Sequence, residues 1–183
     1  MRLFIALPVP EEIQESIVAE TALLRGKYPR LKWIRQDALH LTLSFLGEVD
    51  EERIDFIHGA MQQAAERRTA YDMELEGIGA FPGRGTPRVL YLPVTKGEEK
   101  TRMLQRTLLK ALGDLGTRDR KKFTPHLTIA RNKREEDAPD PRAEGAGLFF
   151  AYEQSSLVLY RSHLDPRGAR YERLKTVELS RGE

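Results

Sequence analysis

One tetrapeptide occurs twice. His40-Leu41-Thr42-Leu43 returns as His126-Leu127-Thr128-Ile129, an offset of 126 − 40 = 86 in a chain of 183 residues. A histidine followed by Leu, Thr and an aliphatic residue arises by chance on the order of once in a thousand histidines at ordinary usage. Here two of only 4 histidines carry it. The same shift sets Arg2-Leu3-Phe4-Ile5-Ala6-Leu7 against Arg88-Val89-Leu90-Tyr91-Leu92-Pro93, both strand-like, with no gap needed before either histidine. Such self-similarity constrains the fold before any element is assigned. Each half must supply a strand, a helix and then a strand opened by His-Leu-Thr.

The segments between these strands agree. Pro10 followed by Glu11 and Glu12 starts a helix, with acids at the positive end of its dipole. Ile13, Ile17, Val18 and Leu24 recur near helical spacing, and the second half has Met103, Leu104, Thr107, Leu108, Ala111, Leu112 and Leu115 closed by Gly116. Asp50 is placed to cap a helix carrying Ile54, Ile57, Met61, Ala64 and Ala65. Further strands are expected at residues 71–78, 156–161 and 176–179, with connections at 79–87 and 132–147. Strands joined by turns, without strict βα alternation, predict an α+β fold with antiparallel sheets. The expected architecture is bilobal: residues 1–183 form one two-lobed domain, two pseudo-symmetric lobes each with an antiparallel sheet and flanking helices, and a cleft between them.

Composition narrows the class. With 0 cysteines, disulfide scaffolds, thiolate metal sites and cysteine nucleophiles are excluded. No apolar run approaches the roughly 20 residues of a membrane span, and Met1–Pro8 is too short for a signal-peptide core, so a cytoplasmic protein that avoids membranes is expected. Net charge is only +2, but Arg118, Arg120, Lys121, Lys122, Arg131, Lys133 and Arg134 crowd one stretch against Asp119 alone. Such an excess either concentrates an anionic ligand or forms a solvated loop.

The repeated motif carries chemistry. Alternation in a strand puts His40 and Thr42 on one face and Leu41 and Leu43 in the core, and His126 and Thr128 follow the same rule. Two imidazoles, one neutral and one protonated, can take a proton from a nucleophile and give one to a leaving oxygen. Threonine hydroxyls can donate to oxygens that gain charge. This equipment suits in-line substitution at phosphorus. Zinc is the competing use of paired histidines, but each motif adds only a threonine, a poor ligand, and no His-x-His or His-Glu-x-x-His occurs. No metal and no cofactor are expected. His58 and His163 are taken as structural.

The flanks of both motifs resemble one family. Met1-Arg2-Leu3-Phe4-Ile5-Ala6-Leu7, Leu39-His40-Leu41-Thr42-Leu43-Ser44-Phe45-Leu46-Gly47-Glu48-Val49 and Phe123-Thr124-Pro125-His126-Leu127-Thr128-Ile129-Ala130-Arg131 are similar to the RNA 2′,3′-cyclic phosphodiesterases, also called 2′-5′ RNA ligases, of the two-histidine phosphoesterases. The resemblance implies hydrolysis of an RNA-terminal 2′,3′-cyclic phosphate to a 2′-phosphomonoester, without metal, and reversible 2′-5′ joining of tRNA halves in some members. It implies His40 as proton donor and His126 as proton acceptor; the residues alone leave those two roles interchangeable. Arg131 stands at the family's arginine position and would bind phosphate through its forked donors. Strict alternation from His126 turns Arg131 to the wrong face, so it reaches the cleft only if the strand ends or bulges. Phe123 is a candidate for stacking on a base, or else for packing under the sheet. The expected partner is RNA with a 2′,3′-cyclic phosphate end, tRNA fragments included, and the expected state is a monomer. A small cyclic-nucleotide phosphodiesterase and a non-catalytic RNA-end-binding module are the alternatives.

Overall fold

The computed structural model describes residues 1–116, 122–132, 141–165 and 168–181. Of the basic run, Arg118, Arg120, Lys121, Lys133 and Arg134 lie outside the described residues. In chain order the elements are β1 (Arg2–Pro8), α1 (Glu11–Glu20), α2 (Ala22–Lys27), β2 (Lys32–Trp33), β3 (His40–Glu48), α3 (Ile54–Ala65), β4 (Tyr71–Glu76) and β5 (Gly79–Phe81). There follow β6 (Val89–Lys96), α4 (Glu98–Leu112), β7 (His126–Arg131), α5 (Pro141–Glu144), β8 (Phe149–Gln154), β9 (Ser156–His163) and β10 (Arg170–Glu178).

Two antiparallel sheets result, one ordered β10-β9-β1-β3 and the other β2-β7-β6-β4-β8, with β5 added beside β6. This is the expected α+β architecture. The pair β1–β3 ends its sheet, and β6–β7 corresponds to it in the other sheet with β2 added outside β7; each histidine strand follows a helix. Pro8 lies opposite His40 and Ala6 opposite Thr42, while Pro93 lies opposite His126 and Tyr91 opposite Thr128. The histidines are 126 − 40 = 86 apart, but their opposing prolines are 93 − 8 = 85 apart. The gapless shift is therefore corrected by one residue, which the second half carries between its paired strands.

Core and helices follow from apolar spacing. Leu41, Leu43, Leu127 and Ile129 are buried beneath the two motifs, in one apolar cluster with Ile17, Ile57, Met61, Leu104 and Leu108. In α4 the buried positions are Thr101, Leu104, Leu108 and Leu112, a helical face, whereas Met103 is exposed. Gly113, at φ +56, ends α4, and Gly116 closes only the short 3₁₀ turn after it. Asp50 precedes another 3₁₀ turn, Glu51–Arg53, and its side chain makes no cap hydrogen bond. Three strands escape the pattern: β2 and β5 are too short to show a period, and β8 has aromatic residues on both faces.

Candidate active site

Both histidine strands contain the same irregularity. In β3 the pairing with β1 steps from Thr42 to Ser44, leaving Leu43 as the extra residue. In β7 the pairing with β6 steps from Thr128 to Ala130, leaving Ile129 extra. A one-residue bulge reverses the facing of everything after it. Leu43 and Ser44 are consecutively buried, as are Ile129 and Ala130, so Phe45 and Arg131 emerge on the histidine side. The bulge removes the obstacle that strict alternation placed before Arg131.

A cleft of about 540 Å³ opens between the sheets. His40, Thr42 and Phe45 line it from β3; His126, Thr128 and Arg131 line it from β7; Ile34, Ala38 and Tyr171 complete the wall. Five residues singled out by sequence therefore face one volume. Phe123 does not join them: it is half-buried and packed on the main core, and its carbonyl accepts a hydrogen bond from Arg102. His163 is paired with Glu172 at 2.7 Å, and His58 lies on α3; neither lines the cleft.

The two imidazoles are held alike. His40 Nδ1 lies 2.8 Å from the carbonyl oxygen of Ala38, and His126 Nδ1 lies 2.7 Å from that of Thr124, two residues before the ring in each case. A carbonyl can only accept, so each Nδ1–H donates and each Nε2 is left for chemistry. Burial pushes the His40 imidazole down to about 4, with the Ala38 carbonyl opposing and the positive charge of Arg131 adding to the fall. His126 is lowered for the same reasons in the same order, Thr124 supplying the opposing carbonyl. In the free protein at neutral pH both rings are uncharged.

Aromatic side chains that the sequence reading missed enclose both rings. Phe4 and Tyr171 pack on His40 with centroids 4.9 and 5.2 Å away. Phe81 and Tyr91 meet His126 edge-on at 5.0 and 5.1 Å. Tyr91 reaches that position because residue 79 is glycine: a Cβ there would stand 2.5 Å from the tyrosine Cζ. Tyr91 lies opposite Thr128 and so shares its face, a pairing that only the folded chain displays. Among the described residues no three His, Asp or Glu side chains gather as metal ligands would. The set can move protons at two Nε2 atoms and bind an anion through hydroxyls and one guanidinium.

Comparison with known proteins agrees with this layout. The profile of the 2′-5′ RNA ligase superfamily matches residues 9–165. A relative named RNA 2′,3′-cyclic phosphodiesterase in Archaeoglobus fulgidus is 35% identical over 97% of this chain and 100% of its own. One of the same name in Thermus thermophilus is 33% identical over 100% of this chain and 92% of its own. Among solved structures, TT0787 of Thermus thermophilus superposes with a TM-score of 0.80 at 29% identity, covering 100% of both chains. Escherichia coli LigT complexed with 3′-AMP does so with a TM-score of 0.79 at 26% identity, covering 98% of both. By profile, relatives and fold, the chain belongs to the 2′-5′ RNA ligase superfamily.

Proposed function

We infer that this chain hydrolyses the 2′,3′-cyclic phosphate at the end of an RNA, leaving a 2′-phosphomonoester. One observation carries the reading: two imidazoles, each with Nδ1 committed to a backbone carbonyl, line a single cleft with Thr42, Thr128 and Arg131. The names of its relatives supply the substrate. His126 Nε2 takes a proton from water, whose oxygen bonds to phosphorus. The bond to the ribose 3′ oxygen breaks on the opposite side, and His40 Nε2–H protonates that oxygen. Thr42, Thr128 and Arg131 hold the phosphoryl oxygens as charge accumulates on them.

His40 must be protonated to act, yet its pKa lies near 4 in the free protein. The phosphate monoanion supplies the difference, because a negative charge at hydrogen-bond distance stabilises imidazolium and raises its pKa. Substrate thus charges its own acid. A 5′-hydroxyl in the place of water gives a 2′-5′ linkage through the same transfers, which is the ligation named by the superfamily.

Under this proposal residues 1–183 act as one two-lobed unit built on an internal repeat, a cytoplasmic monomer working on RNA ends, tRNA fragments among them. Among the described residues no helix is long and apolar enough to cross a membrane. The test is incubation of purified protein with RNA ending in 2′,3′-cyclic phosphate, followed by assignment of the product phosphate. A 2′-phosphate is expected. Unchanged ends despite binding would instead indicate an RNA-end-binding module, and equal turnover of a cyclic mononucleotide would indicate a small-molecule phosphodiesterase.

A further inference from the structure

The chain between α2 and β3 touches both halves of the candidate active site. Its first part, β2, pairs with β7 so that Lys32 lies opposite Arg131 and Trp33 opposite Ala130. The next residue, Ile34, donates its N–H to the carbonyl of Ile129 at 2.8 Å, and Ile129 is the extra residue of the bulge that turns Arg131 toward the cleft. Four residues later the Ala38 carbonyl holds the Nδ1 proton of His40. Ile34 and Ala38 both line the cleft. A single short connection therefore grips the bulge of one histidine strand and orients the imidazole of the other.

Arg25 fastens this connection from behind. On α2, its Nη1 donates to the Ile34 carbonyl at 3.1 Å, its Nε donates to Thr21 Oγ1 at 3.1 Å, and its guanidinium lies 5.1 Å over the Trp33 ring. Thr21 is fully buried and donates its own hydroxyl proton to the Ile17 carbonyl at 2.6 Å, so that anchor is fixed within α1 and α2. Arg25 Nη2 is buried with no hydrogen-bond partner among the described residues. A guanidinium half removed from water without a counter-charge among the described residues is unfavourable, and packing alone would be met by an apolar side chain.

We propose that Arg25 is a positioning residue: by gripping the Ile34 carbonyl and the Trp33 ring, it holds the Lys32–Ala38 connection against the β7 bulge and thereby fixes Arg131 over the phosphate site. The inference rests on the role given above to Arg131. Small displacements of a charge-stabilising group lower rates steeply, by as much as about 100-fold for 1 Å.

The test is a double-mutant cycle of Arg25→Met and Arg131→Met, read as kcat/KM on cyclic-phosphate-ended RNA and as affinity for inorganic phosphate, at a temperature where circular dichroism shows every variant folded. Arg25→Met is expected to lower both by roughly 10-fold in the parent and by less than about 2-fold once Arg131 is gone, because neighbours acting through one group are not additive. Should Arg25→Met fail to fold, Arg25→Lys keeps charge and stem but cannot reach Thr21 and Ile34 together, and it is expected to give a smaller loss with the same dependence on Arg131. Parent values in a folded Arg25 variant, or equal fold-losses in both backgrounds, would overturn the proposal. If the parent leaves the RNA unchanged, the phosphodiesterase reading fails by itself, and the phosphate affinities still decide the role of Arg25.

Discussion

Acid should unfold this protein through His40, by an amount its burial fixes. The imidazole titrates near 6.5 when exposed and about 4 in the folded chain, a difference of roughly 2.5 pH units. Between those values the unfolded chain binds the proton that the folded one refuses, so stability rises with pH across the window. The contribution is whole above pH 6.5 and lost as pH falls toward 4. At 1.36 kcal/mol per unit the ceiling is about 3.4 kcal/mol, and solvent reaching the ring from the open cleft brings the expected figure to about 2–3 kcal/mol. At 2–4 °C per kcal/mol for a chain of this length, the melting temperature moves by roughly 4–12 °C. The assay is urea unfolding at pH 7 and pH 4 for the parent and His40→Gln. The parent should lose about 2–3 kcal/mol more than the variant, since other titrating groups cancel in the comparison. Parallel losses, or a His40 ring titrating near 6.5 by NMR, would show that the cleft does not desolvate it.

His40→Ala and His126→Ala should each lower kcat by about 10²–10⁴ with the fold intact by circular dichroism. Incubation with EDTA should leave the rate unchanged, since the proton transfers use side chains alone; loss restored by zinc or manganese would speak for a metal. Gly79→Ala must displace the Tyr91 ring, whose Cζ would stand 2.5 Å from the new Cβ, and should cost about 1–3 kcal/mol in urea unfolding along with a fall in kcat, because that ring packs on His126. Burial lowers both imidazoles in the free protein, so the kcat/KM profile should have both limbs below pH 6.5, while the kcat profile, taken with phosphate bound, should lie higher.

The repeat made much of this visible in advance. His-Leu-Thr followed by an aliphatic residue states its own alternation, so the inward leucines and outward polar pair could be written down from Leu41, Leu43, Leu127 and Ile129. Antiparallel pairing of each histidine strand with the first strand of its half could not be read from the connections, because helices separate β1 from β3 and β6 from β7, an order that a parallel crossover shares. The bulges could not be read either, because an extra strand residue needs no special side chain, and Leu43 and Ile129 look like any core aliphatic. Only the arginine on the seemingly wrong face hinted at one. The carbonyls of Ala38 and Thr124 carry no sequence signature at all, since they act through backbone. Phe4, Phe81, Tyr91 and Tyr171 surround the imidazoles by way of strand pairs that tertiary structure alone defines. Phe123 shows the limit of a flanking motif: His126, three residues on, faces the cleft while the phenylalanine turns toward the core.

The most direct measurement is the rate of cyclic-phosphate cleavage against pH in the parent and in the two alanine variants. Two imidazoles exchanging opposite protons across one phosphorus require a bell for the parent. His126→Ala should lose the acidic limb, where the base becomes protonated, and His40→Ala should lose the alkaline limb, where the acid becomes neutral. A bell that survives intact in either variant would contradict the account.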